Sequence, residues 1–146
     1  MILNLGQHFS IYQVSSQGKT NNINTHTGAT VSEVYNTIDY MFTNYSPTLH
    51  SGSSLGSVKI ISEIGEGLPA CIFGSRYLPD GTPKGHFVAL MGCDFTLLSV
   101  NKIYYMNSQS GEILASNFSS SDLSHNTFSN NTGSYVYTWS HSITLD

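Results

Sequence analysis

The spacing of apolar residues changes about halfway along the chain. Over residues 30–45, apolar side chains recur every three or four positions, which predicts an amphipathic helix. Thr30 and Glu33 have the spacing of a capping box at the start of this helix, and Pro47 follows its end. The same period predicts a second helix over residues 53–64. The first part of the chain is therefore expected to be helical.

Short apolar runs of strand length replace this period from residue 69 onward. They predict five strands, over residues 70–77, 86–93, 102–107, 113–114 and 135–143. A polar connection with one helical turn at residues 119–123 separates the last two strands. Helices followed by antiparallel strands predict an α+β fold. No repeat or linker divides the chain, so residues 1–146 are expected to form a single domain.

Two polar residues stand at the ends of the most apolar predicted strands. His86 opens the run FVALMG, and Asn107 closes the run IYYM. If these runs form a hairpin that turns near Thr96 and Leu97, His86 and Asn107 face each other directly, and a shift of the turn by one residue moves the partner by two. An imidazole beside a carboxamide is the arrangement that orients a general base, so the pair is a candidate catalytic site.

The composition argues against some classes of function. Only 10% of the residues are charged and the net charge is −4, so the chain lacks the basic face that a nucleic-acid-binding protein needs. No apolar stretch has the length of a membrane span, so no membrane partner is expected. A surface of Ser, Thr, Asn and Tyr suits an extracellular protein, although no signal segment opens the chain.

The two cysteines, Cys71 and Cys93, lie on neighbouring predicted strands. If the turn between these strands centres on Gly81 and Thr82, the cysteines are nearly opposite each other, and a disulfide is one interpretation. Adjacent antiparallel strands seldom offer the geometry that a disulfide requires. Two small buried side chains are therefore the preferred interpretation.

No metal or cofactor is expected. The remaining histidines show no metal-ligand spacing with one another or with the cysteines, and no phosphate-binding loop is present. These histidines are His8, His26, His50, His125 and His141.

Three stretches of the sequence together resemble one family of enzymes. GLPACIFGSRYLPDGTPKGHFVALMG, IYYMNSQSG and YVYTWSHSI are similar to strands of the staphopain group of papain-like cysteine peptidases, which are secreted proteases of Gram-positive bacteria. TGATVSEV also resembles the start of a helix in that family. The resemblance implies a papain-like fold, with N-terminal helices packed on a C-terminal antiparallel sheet. It also implies secretion, a polypeptide substrate or peptide ligand, and a protein inhibitor as a further partner.

The resemblance implies that His86 is the general base and that Asn107 orients it. It also implies a nucleophilic cysteine on the central helix, and neither cysteine of this chain fits that role. Cys71 lies inside the neighbouring strand, and Cys93 lies roughly 23 Å along the strand from His86. The segment MILN at the start of the chain resembles later turns of the central helix, so the cysteine of the family would precede Met1.

The chain is therefore expected to be a papain-like domain truncated at its N-terminus inside the central helix, and to be inactive by itself. The alternative is a pseudoenzyme, or a module that binds peptides or proteins on a papain-like scaffold. The family usually has Pro and Trp after its Asn, where this chain has Ser108 and Gln109. Trp139 is the candidate residue to shield the His86–Asn107 pair in their place.

Overall fold

The computed structural model describes residues 29–68, 70–107, 111–130 and 135–146. Within these ranges the chain forms two α-helices and seven β-strands, which is the α+β fold that the sequence predicts. The helices are α1 (Val31–Met41) and α2 (Ser57–Gly65). The strands are β1 (Pro47–Ser51), β2 (Ala70–Tyr77), β3 (Pro83–Thr96), β4 (Ser99–Asn107), β5 (Ile113–Asn117), β6 (Thr127–Ser129) and β7 (Val136–Leu145). The helical turns expected at the start of the chain lie outside the described residues.

The predicted capping box at the start of α1 is confirmed. The Thr30 hydroxyl accepts a hydrogen bond from the Glu33 backbone N–H (3.3 Å), and the Glu33 carboxylate accepts one from the Thr30 backbone N–H (2.7 Å). The helix ends at Met41 rather than at residue 45. At that point Met41 and Phe42 pack against Leu145 of β7, which fixes α1 against the end of the sheet.

The second helix begins at Ser57 rather than at residue 53, because Ser54 is engaged elsewhere. The Ser54 backbone N–H donates to the carbonyl of Leu123 (2.9 Å), and the Ser54 hydroxyl accepts from the Asn126 amide (3.0 Å). These bonds tie the segment before α2 to a loop that is distant in sequence. Tertiary contacts of this kind override the local helical period.

The strands form one antiparallel sheet in the order β1-β7-β2-β3-β4-β5, with β6 also paired to β7. β2 covers residues 70–77, as predicted. β3 and β4 are longer than predicted because both continue to their shared turn, and β3 also begins three residues earlier, where it pairs with the end of β2. One face of the sheet carries the main core under α2. The residues of that core with at most 1% exposure include Ile60, Ile72, Leu90, Ile103 and Trp139.

Two strands and one loop differ from the sequence prediction. β1 begins at Pro47, which was expected only to end a helix, and pairs with the second half of β7. β6 lies within the connection that was expected to be polar and irregular, and it pairs Phe128 with Tyr137. The helical turn predicted at residues 119–123 is wrong. The Asn126 side chain accepts from the Ser119 N–H (2.7 Å) and donates to the Ser119 carbonyl (3.0 Å), so it closes this segment as a loop.

In the described part of the chain, neither helix has the length and apolar character needed to cross a membrane.

A buried carboxylate links α2 to the end of the chain. The Glu63 side chain is 2% exposed, and its Oε1 lies 2.7 Å from Nζ of Lys59, which also pairs with the Asp146 carboxylate. The hydrogen bond to Asp146 is the largest cause that raises the pKa of Lys59, and the same bond lowers the pKa of Asp146. Lys59 is thus the cation that neutralises a carboxylate held away from water.

Replacing Lys59 with methionine is expected to lower the free energy of unfolding by about 3 kcal/mol at neutral pH, because the buried Glu63 carboxylate loses its counterion. Asp146→Asn is the matched control. It removes the more exposed partner of the same lysine, and a loss of about 0.5 kcal/mol is expected. Urea denaturation measures both values. A loss for Lys59→Met no larger than that for Asp146→Asn would contradict this role of Lys59.

The contribution of Asp146 to stability should depend on pH in one direction. Its folded pKa is lowered from the ordinary value of 3.8, chiefly by the hydrogen bond from Lys59, so its contribution is present above that value. The contribution is lost as the pH falls through the lowered folded pKa. The stability difference between wild type and Asp146→Asn should therefore persist at pH 5 to 7 and vanish in strong acid. Urea denaturation of both proteins from neutral pH down to strong acid measures this difference.

Candidate active site

The β3–β4 hairpin brings His86 and Asn107 to the same face of the sheet. Its turn consists of Leu97 and Leu98, which have φ angles of 51° and 64°. The resulting register places Val88 opposite Asn107, so the prediction that His86 pairs directly with Asn107 is wrong. The error is a shift by two residues along β3. Because side chains alternate along a strand, this shift leaves His86 on the face that Asn107 occupies.

A hydrogen bond joins the two side chains, as the sequence predicts. Nε2 of His86 lies 3.0 Å from Oδ1 of Asn107. An amide oxygen only accepts hydrogen bonds, so Nε2 carries the proton, and in the neutral ring Nδ1 carries the lone pair. Asn107 is the hydrogen-bond partner that the described part of the chain supplies to this ring. The imidazole thus presents Nδ1 as its basic atom, while 8% of His86 and none of Asn107 is exposed.

Asn107 is held by its own backbone as well as by burial. Its N–H donates to the carbonyl of Glu112 (2.9 Å), and its carbonyl accepts from the N–H of Gly111 (2.8 Å). Gly111 has a φ of 71°, which glycine adopts without steric cost. The chain therefore folds back immediately after β4 and fixes the point from which the carboxamide reaches His86.

Two aromatic rings pack together on one side of the imidazole. The ring centroids of Tyr137 and Phe128 lie 5.3 Å and 6.5 Å from that of His86, and these two rings stack on each other at 5.8 Å. Trp139, which the sequence suggests as the shield of the pair, is not one of these two rings. It packs against Phe118, with 6.1 Å between centroids, and its indole N–H donates to Ser142 Oγ.

Gly74 makes room for this arrangement. It lies opposite His86 in the pairing of β2 with β3. A Cβ atom at this position would stand 2.6 Å from Cε1 of Phe128 and 2.8 Å from the carbonyl oxygen of Thr138. Both distances are too short for any side chain. The absence of a side chain at Gly74 therefore allows Phe128 to reach the imidazole.

The cysteines are not part of this site. Both are free thiols, so the disulfide interpretation is wrong: Cys71 pairs with Ala89, and Cys93 pairs with Ile103. Cys71 points to the face opposite to that of His86. Burial raises the pKa of Cys71 to about 12, and burial is also the main cause that raises the pKa of Cys93. Neither thiol is activated as a nucleophile.

The other histidines that the structure describes bind nearby side chains. His50 contacts the Thr144 hydroxyl, His125 contacts the Asp122 carboxylate and His141 contacts the Ser140 hydroxyl, each at 2.9 Å. Within the described ranges, no group of three or more His, Cys, Asp or Glu residues is arranged to hold a metal ion. His8 and His26 lie outside those ranges.

Three residues of the site were not singled out from the sequence. Gly74 and Tyr137 lie in stretches that resemble the peptidase family, but no local pattern marks them as neighbours of His86. Phe128 lies in a segment rich in Ser, Thr and Asn, where an isolated aromatic residue is the sole signal of burial. The pairing of β6 with β7 brings Phe128 to the imidazole.

A scan of the chain against models of known protein families gives no match. A search of curated proteins finds no similar sequence either.

Gly74→Ala is expected to displace the Phe128 ring and to destabilise the protein by about 1–3 kcal/mol, the usual cost of overpacking a core. It should also shift the NMR signals of the His86 ring. Gly65→Ala is the matched control, because a Cβ there meets no atom within 4 Å. Urea denaturation and a histidine-ring NMR spectrum test both variants. Equal stability and unchanged His86 signals in Gly74→Ala would refute this packing role.

Proposed function

We propose that His86 and Asn107 act as the general base and its orienting residue in a papain-like cysteine peptidase site that hydrolyses peptide bonds. The observation that carries the proposal is the hydrogen bond from Nε2 of His86 to Oδ1 of Asn107 (3.0 Å). It leaves Nδ1 as the atom that takes a proton from a thiol. The resemblance of the flanking strands to the staphopain group supports the same chemistry, and it also favours a secreted bacterial protein.

The Asn107 contact is compatible with both protonation states of the base. When Nδ1 accepts the thiol proton, the ring becomes an imidazolium, and Nε2 still donates to the amide oxygen. The ring does not have to rotate between accepting the proton and returning it to the leaving amine. Tyr137 and Phe128 cover one side of the imidazole, and the burial of both His86 and Asn107 limits the access of water to the pair. Asn107 is thus a positioning residue for a proton transfer at Nδ1.

The thiol nucleophile must come from outside the residues of this chain. Cys71 faces away from His86 and has a pKa of about 12, and Cys93 lies far along β3. A base without its nucleophile leaves a rate that is lower by orders of magnitude. We therefore expect the 146-residue chain by itself not to cleave peptides.

A second candidate function is the binding of peptides or proteins without hydrolysis, as a pseudoenzyme would do. The observation that favours it is the same absence of an activated thiol from this chain. The two candidates share the surface around His86. They differ in whether a thiol reaches Nδ1.

The two candidates are distinguished with the natural gene product, expressed with any coding sequence that precedes Met1 in frame. If it carries a cysteine there, a peptidyl epoxide should label that cysteine, and His86→Ala should lower kcat/KM by roughly 10²–10⁴-fold. Asn107→Ala should lower kcat/KM by a smaller factor. Cys71→Ala and Cys93→Ala are the matched controls and should retain labelling and activity.

Labelling that persists at full rate in His86→Ala would contradict the base role. Loss of labelling in Cys71→Ala or Cys93→Ala, with the fold intact, would contradict the assignment of an external thiol. If a stop codon directly precedes Met1 in frame, the hydrolase proposal fails and peptide binding remains.

A further inference from the structure

The one arginine of the chain lies beside the candidate site. Arg76 is on β2, two residues after Gly74, which pairs with His86, so alternation puts Arg76 and His86 on the same face. The guanidinium carbon lies 4.0 Å from the ring centroid of Tyr135 and 5.7 Å from that of Tyr137. Tyr137 is also the ring that contacts His86, at 5.3 Å. One tyrosine therefore separates the guanidinium from the base.

No anion neutralises this guanidinium among the described residues. The ion pairs found there join Lys59 to Glu63 and to Asp146, and His125 to Asp122. Nε of Arg76 is fully buried and has no hydrogen-bond partner. A buried donor that has lost water and gained no acceptor is unfavourable, and a charged donor is more so. Arg76 as a whole is only half-buried, so an acceptor from another molecule can approach the part of its guanidinium that faces solvent.

A second cation stands directly across the strand pair. Lys84 of β3 pairs with Arg76 of β2, and Lys84 is exposed on the same face. Like charges placed opposite each other repel. Asp80 forms no ion pair with Lys84. The pKa of Asp80 is lowered mainly by a hydrogen bond from the Thr82 backbone N–H, and the charge of Lys84 adds a smaller effect. In a chain with a net charge of −4, two of five basic residues thus share one small area.

We infer that Arg76 and Lys84 form a subsite for a carboxylate of the peptide that occupies the His86 site, such as an acidic side chain close to the reacting bond. The Tyr135 ring covers one face of the guanidinium and holds its plane. Because Nε is buried, the two Nη groups at the end of the fork are the donors left for two parallel hydrogen bonds to a carboxylate. Lys84 adds a point charge at the rim. The inference rests on the proposed function for the location of the peptide, and it specifies the class of peptide.

The test is an NMR titration of the isotope-labelled 146-residue chain with two blocked pentapeptides that differ only in a central glutamate or glutamine. The ring signals of His86 report occupancy of the main site, and the Nε–H signal of Arg76 reports the subsite. In wild type, the glutamate peptide is expected to bind at least ~10-fold more tightly than the glutamine peptide, the ratio that one charge-assisted bidentate contact provides.

Arg76→Gln should abolish this preference, and Arg76→Lys should retain part of it, because the lysine keeps the charge but loses the fork. Lys102→Gln is the matched control: it removes one positive charge from β4, away from the subsite, and should leave the preference unchanged.

Equal binding of both peptides with His86 signals that shift would overturn the subsite and leave the proposed function standing. The glutamate peptide could instead shift the Arg76 signal and leave the His86 signals unchanged. This result would overturn the location of the peptide, and with it the proposed function, but would keep the anion site. Tighter binding of inorganic phosphate than of the glutamate peptide at Arg76 would overturn the assignment to a carboxylate.

Discussion

The register of the β3–β4 hairpin is the constraint on which the candidate site depends. It starts from a two-residue turn in which both leucines adopt the left-handed conformation, at a cost of roughly 1–2 kcal/mol each. Two irregularities follow, one near Asp94 and one near Gly92, and the pairing beyond them returns to the register that the turn sets. Val88 and Asn107 therefore pair in the same register as the residues next to the turn. Any single unmatched bulge would turn the carboxamide to the other face of the sheet.

This parity explains why the contact between His86 and Asn107 was predictable although the register was not. A wrong turn position moves the partner by two residues, which changes the neighbour but not the face. The face on which a side chain lies can thus be predicted even when the position of the turn is wrong by one residue. The capping box of α1 was predictable for a similar reason, because Thr30 and Glu33 meet within a single helical turn. Local geometry determines both features.

Several parts that could not be predicted depend on pairing between strands rather than on the local spacing of apolar residues. β1 (Pro47–Ser51) forms by pairing with the end of β7, and β6 forms by pairing Phe128 with Tyr137 of the same strand. Trp139 was the obvious aromatic candidate by residue type, yet the ring that contacts His86 belongs to Tyr137, two residues earlier. Which of two buried rings on the same face reaches a given neighbour depends on the curvature of the sheet and on the shift in register between β2 and β7 at Gly74. Neither can be derived from periodicity alone.

The position of β7 within the sheet bears on the order in which the molecule can assemble. This strand lies between β1 and β2 and also holds β6, yet it is synthesised after every other strand that the structure describes. During vectorial synthesis, β1 and β2 emerge early and have no partner between them until residues 136–145 leave the ribosome. Until then β2 exposes an unpaired strand edge, the kind of edge that recruits strands from other chains. The complete sheet can therefore form only after β7, which joins β1 to the other strands, has been translated.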